Sequence, residues 1–356
     1  TSAVVTVGQL LDHTSGMLGD FVPEVSYTEE NAIERYVDRC SLLPKVHTPG
    51  TRHSYSNAAY SIAGRLIEVV LGCSWFDAVE ERIFEPLGMK HAIAHPSQVL
   101  KYRAAMGHIP NPEKSDALMI APNCYIPMGW APGGATISMS AADLITFARA
   151  HLNEGRSETG QSWISPASVK NMQIPRVQLP ANAYSLATHW GLGWQLAGDG
   201  GIKSVVGHGG EVVGQTSMLR LVPEQNLAFA ILQNRVKPSA LSVITETLLS
   251  ELSGIDLTEK TPKPESTQDL QRFEGTFSAL GTKLTVRVKG DILTMEGLPR
   301  FNNFAPFIYQ LKAIDDHCFA AYSDTGERES NVVFQDFDNE GIPASLYSLF
   351  RLFVKS

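Results

Sequence analysis

The feature that most restricts what this chain can fold into is a change of hydrophobic period along it. Up to about residue 253, helix-spaced apolar residues are mixed with strand-length runs. Past the polar, proline-bearing stretch 254–269 only short alternating strands remain (Lys283–Val288, Ile292–Met295, Asn331–Phe337, Leu346–Val354), parted by Gly, Asp and Asn turns. A helix buries a stripe and a strand buries a face, so the two regions need different packing partners. The expectation is an α+β domain over 1–253, a linker over 254–269 and a small all-β barrel over 270–356. The 356 residues are too many for one average domain, which fits that division.

Within the first region, Val7–Leu11 reads as a helical turn followed by the polar turn Asp12–Gly16. Pro49-Gly50 marks another turn. From Asn57, residues Ala59, Ile62, Leu66, Val69 and Val70 recur at helical spacing, and Gly72 supplies a stop. Ser74 with Asp77, and Ser140 with Asp143, open two further helices as capping boxes. The first closes at Pro86-Leu87-Gly88 and the second at Gly155. Residues 91–135 read as a long irregular connection, the kind that forms a lid or a pocket wall. Lys203–Val206, Ser217–Val222 and Leu227–Leu232 read as strands, the last two joined by the turn Pro223–Asn226. Residues 238–252 are helical again, with Leu241, Ile244, Leu248 and Leu252 on one face.

Composition excludes several classes. With 43% hydrophobic and 19% charged residues, the chain is not wholesale disordered. No apolar run approaches the ~20 residues of a membrane helix. The formal charge of −8 argues against a nucleic-acid or anionic-membrane partner. Cys40, Cys73, Cys124 and Cys318 lie far apart, which excludes a zinc ribbon and a disulfide scaffold and leaves one bridge unassigned. There is no GxSxG elbow, HExxH or phosphate loop, and His91 and His95 read as surface loop residues, so no metal or cofactor is expected.

Two segments carry chemistry. Pro49–Asn57 places Tyr55 and Asn57 two apart in an extended loop before a helix, so a phenol and an amide project to one side. Beside a cation, such a tyrosine shuttles protons. The alternative is a turn tyrosine with Asn57 as the helix N-cap. In Val206–Glu211 three glycines surround His208 at a strand end, and Gly209 and Gly210 let a substrate approach the backbone, whose N–H groups suit an oxyanion. The alternative is a glycine-rich strand end with a solvent histidine.

The order of five stretches resembles the serine β-lactamase and penicillin-binding-protein superfamily, most of all its class C-like branch of esterases, D-amino-acid peptidases and β-lactamase-related hydrolases. They are Gln9–Met17, Pro49-Gly50 with Tyr55-Ser56-Asn57, Glu85–Met89, Pro132-Gly133-Gly134 before the Ser140 helix, and Gly207–Gly210 with its hairpin, together about two thirds of the chain. The resemblance implies that Tyr55 handles the proton of the nucleophile and leaving group. It implies that Asn57 holds the acyl-side carbonyl of a small-molecule or peptide-like acyl substrate. His208, where many members have lysine, would support Tyr55 electrostatically and orient the leaving group. The backbone N–H of Glu211 would be the strand half of the oxyanion hole. The His13-Thr14-Ser15-Gly16 turn is structural in such proteins. The barrel, opening Leu270–Phe277, is similar to a lipocalin-like domain that shapes access, mediates assembly or caps the fold, and an oligomer stays open. The family's frequency in bacterial envelopes favours a periplasmic or secreted protein.

Two departures stand out. No serine is followed three residues later by lysine, so the family's Ser-x-x-Lys nucleophile motif is absent from these residues. The expectation is a separate or missing N-terminal segment that carries it, with a pseudoenzyme sensor of ligand or peptidoglycan, or Thr1 as an N-terminal nucleophile, as alternatives. The remainder is then expected to fold poorly alone. Second, Gly209 stands where the family often has a hydroxyl that binds a substrate carboxylate, which favours an ester or amide whose leaving side lacks one.

Overall fold

A computed structural model describes residues 5–19, 31–111, 113–122, 126–198, 204–257, 261–262, 269–279, 282–299 and 306–356. The helices are α1 (Val7–Leu11), α2 (Ala32–Cys40), α3 (Asn57–Leu71), α4 (Trp75–Val79), α5 (Glu85–Leu87), α6 (Ala141–Leu152), α7 (Pro166–Met172) and α8 (Pro238–Ser253). A π turn over Glu80–Phe84 joins α4 to α5. Ser74 and Ser140 cap as the sequence predicts, each hydroxyl accepting from an aspartate N–H three residues on. Gly72 ends α3 in the left-handed conformation, at φ 69°.

The face of α3 differs from expectation. Leu66, Val69 and Val70 are 41%, 65% and 79% exposed, and the buried side is Ala58, Ala59, Ser61 and Gly64. The small side wins because a neighbouring loop comes close: a Cβ on Gly64 would lie 2.2 Å from Pro132 Cγ. Similarly, α8 buries Leu241 and Leu249 while Ile244 and Leu252 face out. The stretch 91–135 is not wholly irregular. It contains a hairpin of β1 (His108–Asn111) and β2 (Lys114–Ile120), anchored where His108 N donates to the carbonyls of Gly214 and Asn234.

The central sheet has six antiparallel strands in sequence order: β3 (Val177–Gln178), β4 (His189–Trp190), β5 (Gln195–Ala197), β6 (Val205–Val212), β7 (Gln215–Val222) and β8 (Leu227–Gln233). Strand alternation gives it two apolar faces. Val206, Leu219 and Leu221 meet Leu144 and Phe147 of α6. Val205, Met218 and Val222 meet Leu241 and Leu249 of α8. The strand expected to end at Val206 runs on through the glycines to Val212. Gly207 is required there, because a Cβ would lie 2.2 Å from Leu219 O and 2.4 Å from Arg220 Nη1. Arg220, only 1% exposed, donates to Leu219 O at 3.0 Å and Gln195 Oε1 at 2.9 Å.

The last region is a closed antiparallel barrel of β9 (Gly275–Ala279), β10 (Thr282–Lys289), β11 (Ile292–Pro299), β12 (Phe307–Ala313), β13 (Cys318–Tyr322), β14 (Arg328–Phe337), β15 (Pro343–Ser348) and β16 (Arg351–Lys355). Phe273, Phe277, Phe319, Phe334 and Leu346 fill its interior. The run Leu346–Val354, expected as one strand, is two. It reverses at Leu349 and Phe350, with φ of 49° and 63°, and Ser348 pairs with Arg351. Neither glycine nor asparagine marks that turn, so composition hides it.

The barrel's outer wall is also buried. Ile314, Cys318, Ala320, Val333 and Tyr347 pack against Leu179, Ala183, Ala187 and Trp190 of the first region. Asn182 locks the contact: its Nδ2 donates to Asp315 Oδ2 at 2.6 Å, and its carbonyl accepts from Asn331 Nδ2 at 2.7 Å. Cys40 and Cys73 are free thiols, Cys318 Sγ donates to the Asn182 carbonyl at 3.7 Å, and Cys124 lies outside the described residues, as do 258–260 and 263–268 of the expected linker.

Candidate active site

The Arg52–Asn57 segment is extended and leads into α3. Ser56, not Asn57, is the N-cap, its hydroxyl accepting from Ala59 N at 3.1 Å. Asn57 is therefore the first helical residue, and its amide is not used for capping. Its side chain lies against the Pro132-Gly133-Gly134 loop, where a Cβ on Gly133 would come within 3.1 Å of Asn57 Oδ1. The glycine makes room for the amide.

Tyr55 is half-buried in an aromatic cluster. Its ring centroid is 4.0 Å from His13, 5.7 Å from Trp190 and 6.1 Å from His208. His13 is wholly buried, and its Nδ1 accepts from Ser56 N at 3.1 Å while its carbonyl accepts from Ser54 N at 2.9 Å. The His13 turn thus braces the tyrosine segment, which matches its structural reading. Gly19 presses from the same side: a Cβ there would lie 2.2 Å from Tyr55 O.

The strand side is β6. Its neighbour β5 pairs only as far as Gly207, opposite Gln195. Residues 208–212 continue along β7 on one side and lie past the end of β5 on the other. An extended substrate can lie along this backbone. The N–H of Glu211 belongs to that stretch. Gly210 and Glu211 are exposed, whereas the ring of His208 is enclosed between Tyr55 and Trp190.

Burial holds the His208 imidazole at about 4, and His53 at about 3 with the same leading cause. His13 is also pushed well down by burial. All three are neutral at neutral pH. The sequence reading gave His208 the part of the family's lysine, and the environment here denies it that charge. Its Nδ1 is bonded to the Gly209 carbonyl, an acceptor, so Nδ1 carries the proton and Nε2 is left as an acceptor.

The remaining parts come from the barrel, and sequence reasoning missed them. Phe350 O accepts from Tyr55 N at 2.8 Å, and Ser54 Oγ accepts from Leu352 N at 3.2 Å. Tyr347 Oη lies 2.8 Å from His53 Nδ1. Burial drives the Tyr347 phenol well up, so it stays protonated and donates to that nitrogen. Arg52 forms a two-pronged ion pair with Asp336. The Phe350 ring stacks edge-on to Trp190, and the Arg351 guanidinium lies 5.2 Å from the Tyr55 ring centroid. No local signal marks these residues, because their role depends on a turn hidden within an apolar run. Gly209 alone therefore does not settle how a leaving-side carboxylate is treated: Arg351 brings a cation to the same site. Among the described residues, no group of His, Cys, Asp and Glu is arranged to hold a metal ion.

Comparison with known proteins assigns the family and the fold. Residues 2–251 match the Beta-lactamase family. A protein described as Penicillin-binding protein 4, from Amycolatopsis lactamdurans, is 34% identical over 284 residues, spanning 78% of this chain and 72% of that protein. The crystal structure of SurE is similar over 99% of this chain and 79% of its own, with 25% identity and a TM-score of 0.74. A penicillin-binding protein homologue from Pyrococcus abyssi shares the fold over 98% of this chain and 78% of its own, at 21% identity and a TM-score of 0.56. The chain belongs to the Beta-lactamase family, at whose level the activity is serine acyl hydrolysis.

Proposed function

We propose that this chain provides the greater part of a serine acyl hydrolase or transferase that cleaves an amide or ester through an acyl-enzyme. The observation that carries the reading is the stretch 208–212 of β6, lying past the end of β5, with Tyr55 and His208 beside it. The nucleophilic serine and its lysine lie on a Ser-x-x-Lys segment outside these 356 residues. In the acylation step the serine oxygen bonds to the substrate carbonyl carbon, and Tyr55 takes the hydroxyl proton and returns it to the departing amine or alkoxide. The carbonyl oxygen is held by the Glu211 N–H and the serine's own N–H while it carries negative charge. The Asn57 amide holds the acyl side. Water, or an acceptor amine, then repeats the sequence in reverse and releases the acyl group. The similar protein SurE has been solved with D-Leu, which supports a D-configured residue among the substrates to try first.

The test is labelling of the native protein with a fluorescent penicillin and a fluorophosphonate, followed by intact mass of every band. Label on a Ser-x-x-Lys segment that accompanies this chain is the expected result. A native preparation in which nothing labels, yet which binds peptidoglycan fragments, would replace the enzyme with the sensor reading. Where labelling succeeds, Tyr55→Phe should lower kcat by roughly 10²–10⁴, the usual worth of a positioned proton carrier, with little change in stability. Retained turnover removes Tyr55 from the mechanism.

A further inference from the structure

A tyrosine that takes a proton and gives it back needs a positive charge nearby, because a phenol ordinarily ionises near pH 10. The groups around the Tyr55 ring come from different elements. His13 follows α1, Trp190 is on β4, His208 is on β6 and Arg351 is on β16, while Tyr60 of α3 and His53, from the segment that carries Tyr55 itself, pack on His13 behind it. The three imidazoles are enclosed and uncharged, and the Nδ1 proton of His208 is committed to the Gly209 carbonyl. Among the described residues, the cation on the Tyr55 ring is Arg351, at 5.2 Å from the centroid. Glu211, exposed as a residue, has its carboxyl end enclosed enough to be raised, while the same guanidinium pulls it down.

The way Arg351 arrives there is costly. Leu349 and Phe350 both sit in the left-handed region, at φ 49° and 63°, and neither is a residue that favours it. The turn is held by what it delivers. Phe350 gives its carbonyl to Tyr55 N and its ring to Trp190, and the next residue places its guanidinium on the phenol. Strained backbone at a site, held by surrounding contacts, is a mark of function.

We propose that Arg351, presented by the strained barrel turn, supplies the positive charge that steadies the Tyr55 phenolate, while His208 serves as a neutral hydrogen-bond acceptor. The barrel is then part of the catalytic electrostatics. This inference rests on the reading of Tyr55 as the proton carrier.

The test uses the full chain and does not depend on turnover. With ¹³Cζ-tyrosine labelling, and Tyr55→Phe to assign the signal, the titration of Tyr55 is followed in the parent, Arg351→Met and Arg351→Lys. An upward shift of the midpoint in Arg351→Met, largely restored in Arg351→Lys, is expected. An unchanged midpoint in a folded Arg351→Met overturns the proposal. If the methionine variant fails to fold, Arg351→Lys still decides, since loss of the parent midpoint with the charge retained also overturns it. In the unmodified chain, ¹⁵N spectra of the histidine rings should show His208 singly protonated at Nδ1 at pH 7, and an imidazolium there refutes the arrangement. A positive labelling result combined with failure here leaves Tyr55 as proton carrier with another source of charge. Failure of labelling bears on the enzyme reading alone.

Discussion

Gly207 shows how one residue type is dictated by what lies beneath it. The β6–β7 register sets Gly207 opposite Arg220, and the buried guanidinium occupies the space a side chain would need. Leu219 O is backbone and does not move aside. Gly207→Ala is therefore expected to destabilise the fold by about 1–3 kcal/mol through overpacking, read as a lower urea midpoint. Neutral stability would show that the β6–β7 backbone itself gives way at this position. Gly209 differs, since a Cβ there would come no nearer than 3.3 Å, to the flexible Met218 Cε, with the Ser217 carbonyl at an ordinary 3.5 Å. Gly209→Ser is expected to fold normally, and its urea midpoint provides the contrast. The two glycines look alike in the sequence, and only the residues across the ladder separate them.

At the scale of elements, caps and turns account for most of what was legible. Ser74, Ser140 and Gly72 act where their side chains, or the lack of one, place them, because capping is decided within one helical turn. The β15–β16 turn is the opposite case. Leu349 and Phe350 are poor turn residues held by contacts far away in sequence. Leu349 is 54% exposed, so its side chain does little for packing. Leu349→Asn should relieve backbone strain and raise the unfolding free energy by about 1 kcal/mol, measured by denaturant titration, with Tyr55 still bonded to Phe350 O. A loss of stability would mean that the leucine side chain is itself needed. The apolar stripe of α3 marks the limit of periodicity, which identifies a helix and its faces but not which face meets a neighbour.

For the whole molecule, the buried histidines around the joint between barrel and sheet make the fold acid-sensitive, with His151, held at about 4 by burial elsewhere, acting in the same direction. His53 and His208 are held by burial at about 3 and about 4, and His13 is also depressed. A histidine with a lowered folded pKa leaves stability untouched above the unfolded value of 6.5. Below it, the unfolded chain binds protons that the folded chain refuses, so stability falls until the folded pKa is reached. The slope is about 1.4 kcal/mol per pH unit for each such imidazole. Asp336, held low by Arg52, adds a loss further down, as pH falls through its depressed folded pKa. Urea midpoints measured at pH 7 and pH 5 should drop clearly at the lower value. Equal midpoints would mean that these imidazoles are already charged or solvated in the fold.

By itself the sequence determined the change from mixed helix and strand to all-strand, the helix ends, the strands β7 and β8 and the family motifs around Tyr55, Asn57 and His208. Each of these is a short-range matter of period, capping or turn chemistry. Only the tertiary structure decided that burial lowers His208, that β6 runs on through its glycines beyond β5, and that a barrel turn reaches Tyr55. Charge state depends on burial by distant residues. An open strand edge depends on where another strand stops. A strained turn is stable only because residues distant in the chain, Tyr55, His53 and Trp190, are there to hold it, His53 being 294 residues from Tyr347.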